Sequence, residues 1–154
     1  MNANLKPVTI LMADDDEDDR LLARDALNES SPANDFHCVA DGVELLDYLA
    51  RKGKFKDENR YPLPSLILLD LNMPRLDGRQ TLAQLKADPA TRHIPVIIFT
   101  TSREEEDMLK GYELGAASYI TKPVTFKLLV ELMQSLSRYW LGFVKLPNRL
   151  GLEG

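Results

Sequence analysis

Leu66-Ile67-Leu68-Leu69-Asp70 constrains the fold more than any other stretch: four branched aliphatic residues in a row, ended by one carboxylate. An apolar run that short reads as a strand buried on both faces, the pattern of a parallel sheet. Asp70 then stands at the carboxyl edge of the sheet, where open α/β folds bind their ligands. Pro74 forbids continuation of the strand, and Asp77-Gly78 supplies a turn. Desolvating such a carboxylate is costly unless something pairs with it, and the rest of the chain must supply the partner.

The same strand-then-helix pattern recurs along the sequence. Val8 to Ala13 is an apolar run, followed by an acidic helix start and the amphipathic Leu21–Leu27 segment. Phe36 to Ala40 reads as a short strand, and Val43, Leu46 and Leu49 then recur at helical spacing. Leu82 and Leu85 mark a helix after the Leu66–Asp70 strand, and Pro95 to Phe99 is a fourth strand. Ser102 as N-cap and Glu105 three residues on form a capping box, opening a helix to about Glu113 that Gly115 ends. Ala117 to Thr121 is a fifth strand, and Phe126, Leu129, Met133 and Leu136 form one stripe of a last helix. Five such units predict an α/β fold, a doubly wound parallel sheet with helices on both faces. The charged Lys52–Pro64 stretch is expected to be a surface excursion between the second helix and third strand.

A chain of 154 residues fits one domain with a single core. Its 24 acidic and 19 basic residues give a net charge of −5. That balance disfavours nonspecific nucleic-acid binding, which rests on neutralising phosphates. The single cysteine, Cys38, has no disulfide partner within the chain and reads as a buried, inert thiol. The amino terminus lacks signal-peptide order, and no segment reaches the ~20 apolar residues of a membrane span. The expected location is the cytoplasm, with no membrane contact.

Chemistry gathers where strands hand over to helices. Asp14 and Asp15 close the first strand, and Asp70 closes the third. These strands are commonly neighbours in a doubly wound sheet, which brings three carboxylates into one crevice. Clustered like charges either raise a pKa or recruit a cation. An all-oxygen site suits Mg²⁺, or Mn²⁺ in its place, and the Asn72 backbone carbonyl offers a further oxygen. Asp16, Glu17, Asp18 and Asp19 read instead as acids decorating a helix N-terminus. Thr100 and Lys122, ending the fourth and fifth strands, add a hydroxyl and an ammonium. Nucleophilic carboxylate, cation site, hydroxyl and fixed positive charge together suit phosphoryl transfer to Asp70 as an acyl phosphate.

With Ala13-Asp14-Asp15, Asp70-Leu71-Asn72-Met73-Pro74, Asp77-Gly78, Phe99-Thr100-Thr101 and Tyr119-Ile120-Thr121-Lys122-Pro123, the chain resembles the CheY-like receiver domains of bacterial two-component response regulators. The resemblance runs from about Val8 to Tyr139. It implies a flavodoxin-like sheet in the order 2-1-3-4-5. It also implies Asp70 as phosphoacceptor, charged from a phosphohistidine on a sensor histidine kinase. Asp14, Asp15, Asp70 and the Asn72 carbonyl would hold the metal. Thr100 would be the switch hydroxyl, Tyr119 the switch aromatic and Lys122 the phosphate-sensing lysine, followed by a cis bond to Pro123. Thr101 stands where many receivers carry Ala, a position that borders the phosphorylation site.

The expected organisation is one receiver domain over 1–154, core about 8–139, with an apolar extension over 140–154. Such a chain acts through a downstream protein partner or a homodimer and not as an enzyme. The tail Tyr139–Pro147, the Lys52–Pro64 loop and Phe99-Thr100-Thr101-Ser102 resemble the phytochrome-associated single-domain regulators, implying a phytochrome-type kinase. Trp140 and Phe143 either fold back on the domain or form a partner surface. Three other functions compete. A receiver that is never phosphorylated would serve as a constitutive binding module. A haloacid-dehalogenase-type phosphatase would need a second Asp two residues after the nucleophile, where Asn72 stands. A flavodoxin-like carrier would need a phosphate-cradling loop after the first strand, where acids stand instead.

Overall fold

The computed structural model describes residues 9–30 and 34–143, the side chains of 141–143 excepted. Five strands alternate with five helices: β1 (Thr9–Ala13), α1 (Glu17–Ser30), β2 (Asp35–Val39), α2 (Gly42–Leu49), β3 (Leu66–Leu69), α3 (Gly78–Ala87), β4 (Val96–Thr100), α4 (Glu105–Glu113), β5 (Ser118–Thr121) and α5 (Phe126–Leu136). The strands form one parallel sheet in the order β2-β1-β3-β4-β5. Val8, the first residue of the expected β1 run, lies outside the described residues, as does the tail from 144 onward.

Alternation along each strand divides the core between the two faces of the sheet. Leu11, Ala13, Ile67, Leu69, Val96 and Ile98 bury one face against Leu45 and Tyr48 of α2 and Leu82 and Leu85 of α3. Ile10, Met12, Leu66, Leu68, Ile97 and Phe99 bury the other against Ala23, Ala26 and Leu27 of α1 and Leu129 and Met133 of α5. Caps set most helix starts. Asp16 accepts from the Asp18 and Asp19 amides before α1. Asp41, Asp77 and Thr125 cap α2, α3 and α5. Gly115, at φ +105°, ends the α4 segment as expected.

Three local expectations need correction. Ser102 does not cap α4: the N-cap is Glu104, which makes no side-chain cap hydrogen bond, and the Ser102 hydroxyl bonds Asp107 instead. Phe126 stands largely outside the α5 stripe that Leu129 and Met133 bury. The Lys52–Pro64 excursion also has an interior of its own. A 3₁₀ turn at Gly53–Lys56 buries Phe55, whose ring meets Tyr48 and Tyr61 at 5.1 Å each. The Tyr48 hydroxyl donates to the Pro62 carbonyl at 2.7 Å. After α5 the chain continues as a π-helical segment, Ser137–Phe143, and Trp140 packs against the α1/α5 face. Trp140 thus folds back on the domain; the side chain of Phe143 lies outside the described residues.

Candidate functional site at the carboxyl edge of the sheet

Strand register alone brings the acids together. Ala13 pairs with Leu69, and the Asp70 amide donates to the Ala13 carbonyl at 3.0 Å. Asp14 and Asp70 are therefore side by side, one residue beyond the paired strands. On the other side Thr100 pairs with Thr121, and the Lys122 amide donates to the Thr100 carbonyl at 2.7 Å. All four strand-end residues leave the sheet at one edge.

The Lys122 ammonium completes the cluster. Its Nζ donates to Asp14 Oδ2 at 2.6 Å, Asp19 Oδ2 at 2.8 Å and Asp70 Oδ2 at 3.1 Å. Asp14 is fully buried and Asp70 only 7% exposed. Burial pushes the Asp14 carboxyl above its usual range, against the lowering effects of Lys122 and the Asp16 amide. Burial would also lower the Lys122 pKa, but its bonds to Asp14 and Asp19 and the nearby Asp70 charge raise it on balance. The lysine is a fixed cation at any ordinary pH.

Single carboxylate oxygens of Asp14, Asp15 and Asp70 lie within 4.8 Å of one another. Asp14 and Asp70 are buried and Asp15 is exposed, so this oxygen-only set opens to solvent on one side. Hard divalent cations prefer such donors and keep part of their water shell. The donor set fits such a cation. Asn72 lies two residues beyond Asp70, its amide 3.5 Å from Asp70 Oδ1. Thr100 is fully buried, and its Oγ1 accepts from the Ser102 amide at 3.5 Å. Tyr119 is half-buried: its hydroxyl donates to the Ser102 carbonyl at 3.1 Å, and its ring lies against the α2/α3 face of the core.

Two side chains that sequence reasoning passed over belong to the cluster. Asp19 is more than a decoration of the helix N-terminus, because it shares Lys122 with Asp14 and Asp70. No local pattern marks it, because its partner lies 103 residues along the chain. Arg20 donates to the Asp14 backbone carbonyl at 2.7 Å and fixes the β1–α1 loop; no motif marks it. One implied feature is absent. The Lys122–Pro123 bond is trans, as are all peptide bonds among the described residues.

The family described as "Response regulator receiver domain" matches residues 10–134. Response regulator Rcp1 of Synechocystis is 36% identical over 141 residues, 92% of this chain and 94% of that protein. The Mn²⁺-bound structure of Rcp1 superposes with a TM-score of 0.81, covering 92% of this chain and 99% of that one. The phosphorylated cyanobacterial phytochrome response regulator RcpA is 35% identical with a TM-score of 0.84, over 92% and 99% of the two chains. RPA3017, a response regulator in red light signaling of R. palustris, is 36% identical with a TM-score of 0.85, over 92% and 98%. Neither the phosphatase nor the constitutive-module alternative is favoured by these likenesses. No helix among the described residues is long and apolar enough to cross a membrane. Strand order, converging acids and lysine, and likeness over 92% of the chain agree: the chain belongs to the response regulator receiver domain family, homologous to phosphoacceptor regulators that include phytochrome-associated ones.

Proposed function

We propose that this chain is a single receiver domain over 1–154 that takes a phosphoryl group on Asp70 from a sensor histidine kinase. One observation carries the reading: a buried ammonium, Lys122, held within hydrogen-bond distance of Asp70, Asp14 and Asp19. A cation so positioned suits an oxygen of a phosphoryl group arriving on Asp70. A carboxylate oxygen of Asp70 attacks phosphorus as the phosphorus–nitrogen bond of the donor phosphohistidine breaks. The bonding pair returns to the imidazole, and an acyl phosphate remains. Asp14, Asp15, Asp70 and the Asn72 carbonyl would hold Mg²⁺, with Mn²⁺ as substitute. The ion neutralises phosphoryl charge when bound.

Phosphorylation adds about −1.5 to −2 charge at Asp70. Thr100 turns its hydroxyl toward the new oxygens, and Tyr119 packs into the volume vacated. The face of α4, β5 and α5 changes with it. Met108, Leu109 and Tyr112 of α4 and Leu128 of α5 lie exposed there, available to a downstream protein or a second copy of the chain. The relatives named above favour a phytochrome-type kinase as donor. The chain performs no separate catalysis in this reading and acts in the cytoplasm.

The test is labelling by a small phosphodonor in Mg²⁺. Wild-type protein is expected to label, and Asp70→Asn to lose the base-labile, hydroxylamine-sensitive acyl phosphate label entirely. Labelling of Asp70→Asn at the wild-type rate would overturn the assignment.

A further inference from the structure

The helix whose start the capping box misplaced, α4, is also the one least tied to the core. Its N-cap has no side-chain bond, only Gly111 is buried, and Leu109 and Tyr112 face outward. Such a helix depends on whatever secures its ends. At the last turn the Tyr112 hydroxyl accepts from the Tyr119 amide at 3.2 Å; at the first turn the securing group is Asp107. Asp107 Oδ1 accepts from Arg79 Nη2 of α3 at 2.6 Å, and its Oδ2 accepts from Ser102 Oγ at 2.7 Å. The two charged side chains are 32% and 21% exposed, so the pair is partly withdrawn from water. The bonds from Arg79 and Ser102 hold the Asp107 carboxyl below the usual carboxylate range.

Ser102 is where this ion pair meets the switch residues. Its amide donates to Thr100 Oγ1, its carbonyl accepts from the Tyr119 hydroxyl, and its Oγ also accepts from the Glu104 amide at 3.3 Å. One residue therefore joins the end of β4, the ring on β5 and the start of α4. Its own side chain is fixed by Asp107.

We infer that Arg79 and Asp107 form a positioning pair that ties the β4–α4 loop, through Ser102, to α3, and so carries movement at Thr100 into α4. The pair itself belongs to the unphosphorylated chain; its part in signalling rests on the phosphoacceptor reading above. Without the pair the loop and α4 lose their common anchor. Thr100 then moves without pulling the helix.

Amide hydrogen exchange on the full chain tests this, with beryllofluoride and Mg²⁺ as the phosphoryl mimic. In Arg79→Gln, exchange at Met108–Gly111 is expected to quicken about 5- to 30-fold before any mimic is added, the loss of one charge-assisted bond. Beryllofluoride should then alter exchange at Thr100–Ser102 while leaving α4 unresponsive, whereas in wild type both respond. Arg79→Lys, which keeps the charge, should restore part of the α4 response. A merely structural role would slow or quicken exchange everywhere and leave that coupling intact. Wild-type α4 exchange in Arg79→Gln, or an undiminished α4 response, overturns the inference. If wild type itself fails to bind beryllofluoride and to label, the phosphoacceptor reading fails, while exchange in the unliganded variant still judges the pair.

Discussion

Lys122 is a single ammonium shared by three carboxylates, and its removal tests what the cluster costs. Asp14 is fully buried and its carboxyl already resists ionisation. Lys122→Met would leave the Asp14 carboxyl beside that of Asp70 with no ammonium bonded to either. Breaking a buried charged pair typically costs more than the pair contributes, because the remaining charge is stranded. In metal-free buffer, Lys122→Met is therefore expected to lower unfolding stability by about 2–4 kcal/mol, measured by urea titration. Added Mg²⁺ should recover part of that loss, since a cation bound only by the folded state stabilises it. The signs of the two shifts fit this account. The raised Lys122 pKa means its contribution is complete at neutral pH and fades only as pH rises through the folded value. The raised Asp14 pKa has the same sign with pH: folding holds its proton more tightly, so stability is lost as pH rises from the unfolded value to the folded one. An unchanged urea midpoint for Lys122→Met in EDTA would show that the lysine carries no such load.

At the level of elements, the β3–α3 junction is the least forgiving part of the site. Gly78, the first residue of α3, donates its amide to the Leu71 carbonyl at 2.9 Å. A Cβ there would collide with the Asp70 backbone carbonyl and come within 2.8 Å of Leu71 Cα. Both obstacles are backbone, so relief requires moving the Asp70 end of β3 itself. Gly78→Ala is expected to cost about 1–3 kcal/mol by overpacking and to slow labelling of Asp70 more than that loss of stability explains. This junction was readable from the sequence as Asp77-Gly78 after an apolar run, and so was the sheet edge as a whole. β1 and β3 are short, largely apolar runs, and the acids Asp14 and Asp70 stand directly after them. The α4 start was not readable in this way. Ser102 and Glu105 match a capping box, but Asp107 takes the Ser102 hydroxyl because Arg79, 28 residues away in sequence, holds Asp107 in place. Local patterns identify a cap only when no distant partner competes for it. Asp19 escaped for the same reason, its partner Lys122 being 103 residues away.

Across the whole molecule, the sheet ends on β2, an edge strand that a parallel fold must cover. The Lys52–Pro64 excursion contributes to that cover. Its isolated aromatics, dispersed among charges in the sequence, gather into a cluster with Tyr48 in which the His37 ring lies 6.1 Å from Tyr48 and 6.2 Å from Tyr61. Burial there pushes the His37 pKa below its usual value, against the raising effect of Asp35. A histidine whose folded pKa is depressed takes up its proton more readily in the unfolded chain. Stability from this site is therefore complete above the unfolded value, about 6.5, and is lost as pH falls from there to the folded value. The raised Asp14 carboxyl acts with the opposite pH sign, so the comparison of wild type with His37→Gln is what isolates the imidazole. Wild type is expected to have a higher urea midpoint at pH 7.5 than at pH 5.5, and His37→Gln to flatten the difference while lowering the midpoint at both. An equal pH slope in the two proteins would place the acid sensitivity elsewhere in the fold. Because the cluster sits at the edge strand while Asp70 lies between β1 and β4, His37→Gln should leave small-donor labelling at the wild-type rate wherever the chain remains folded.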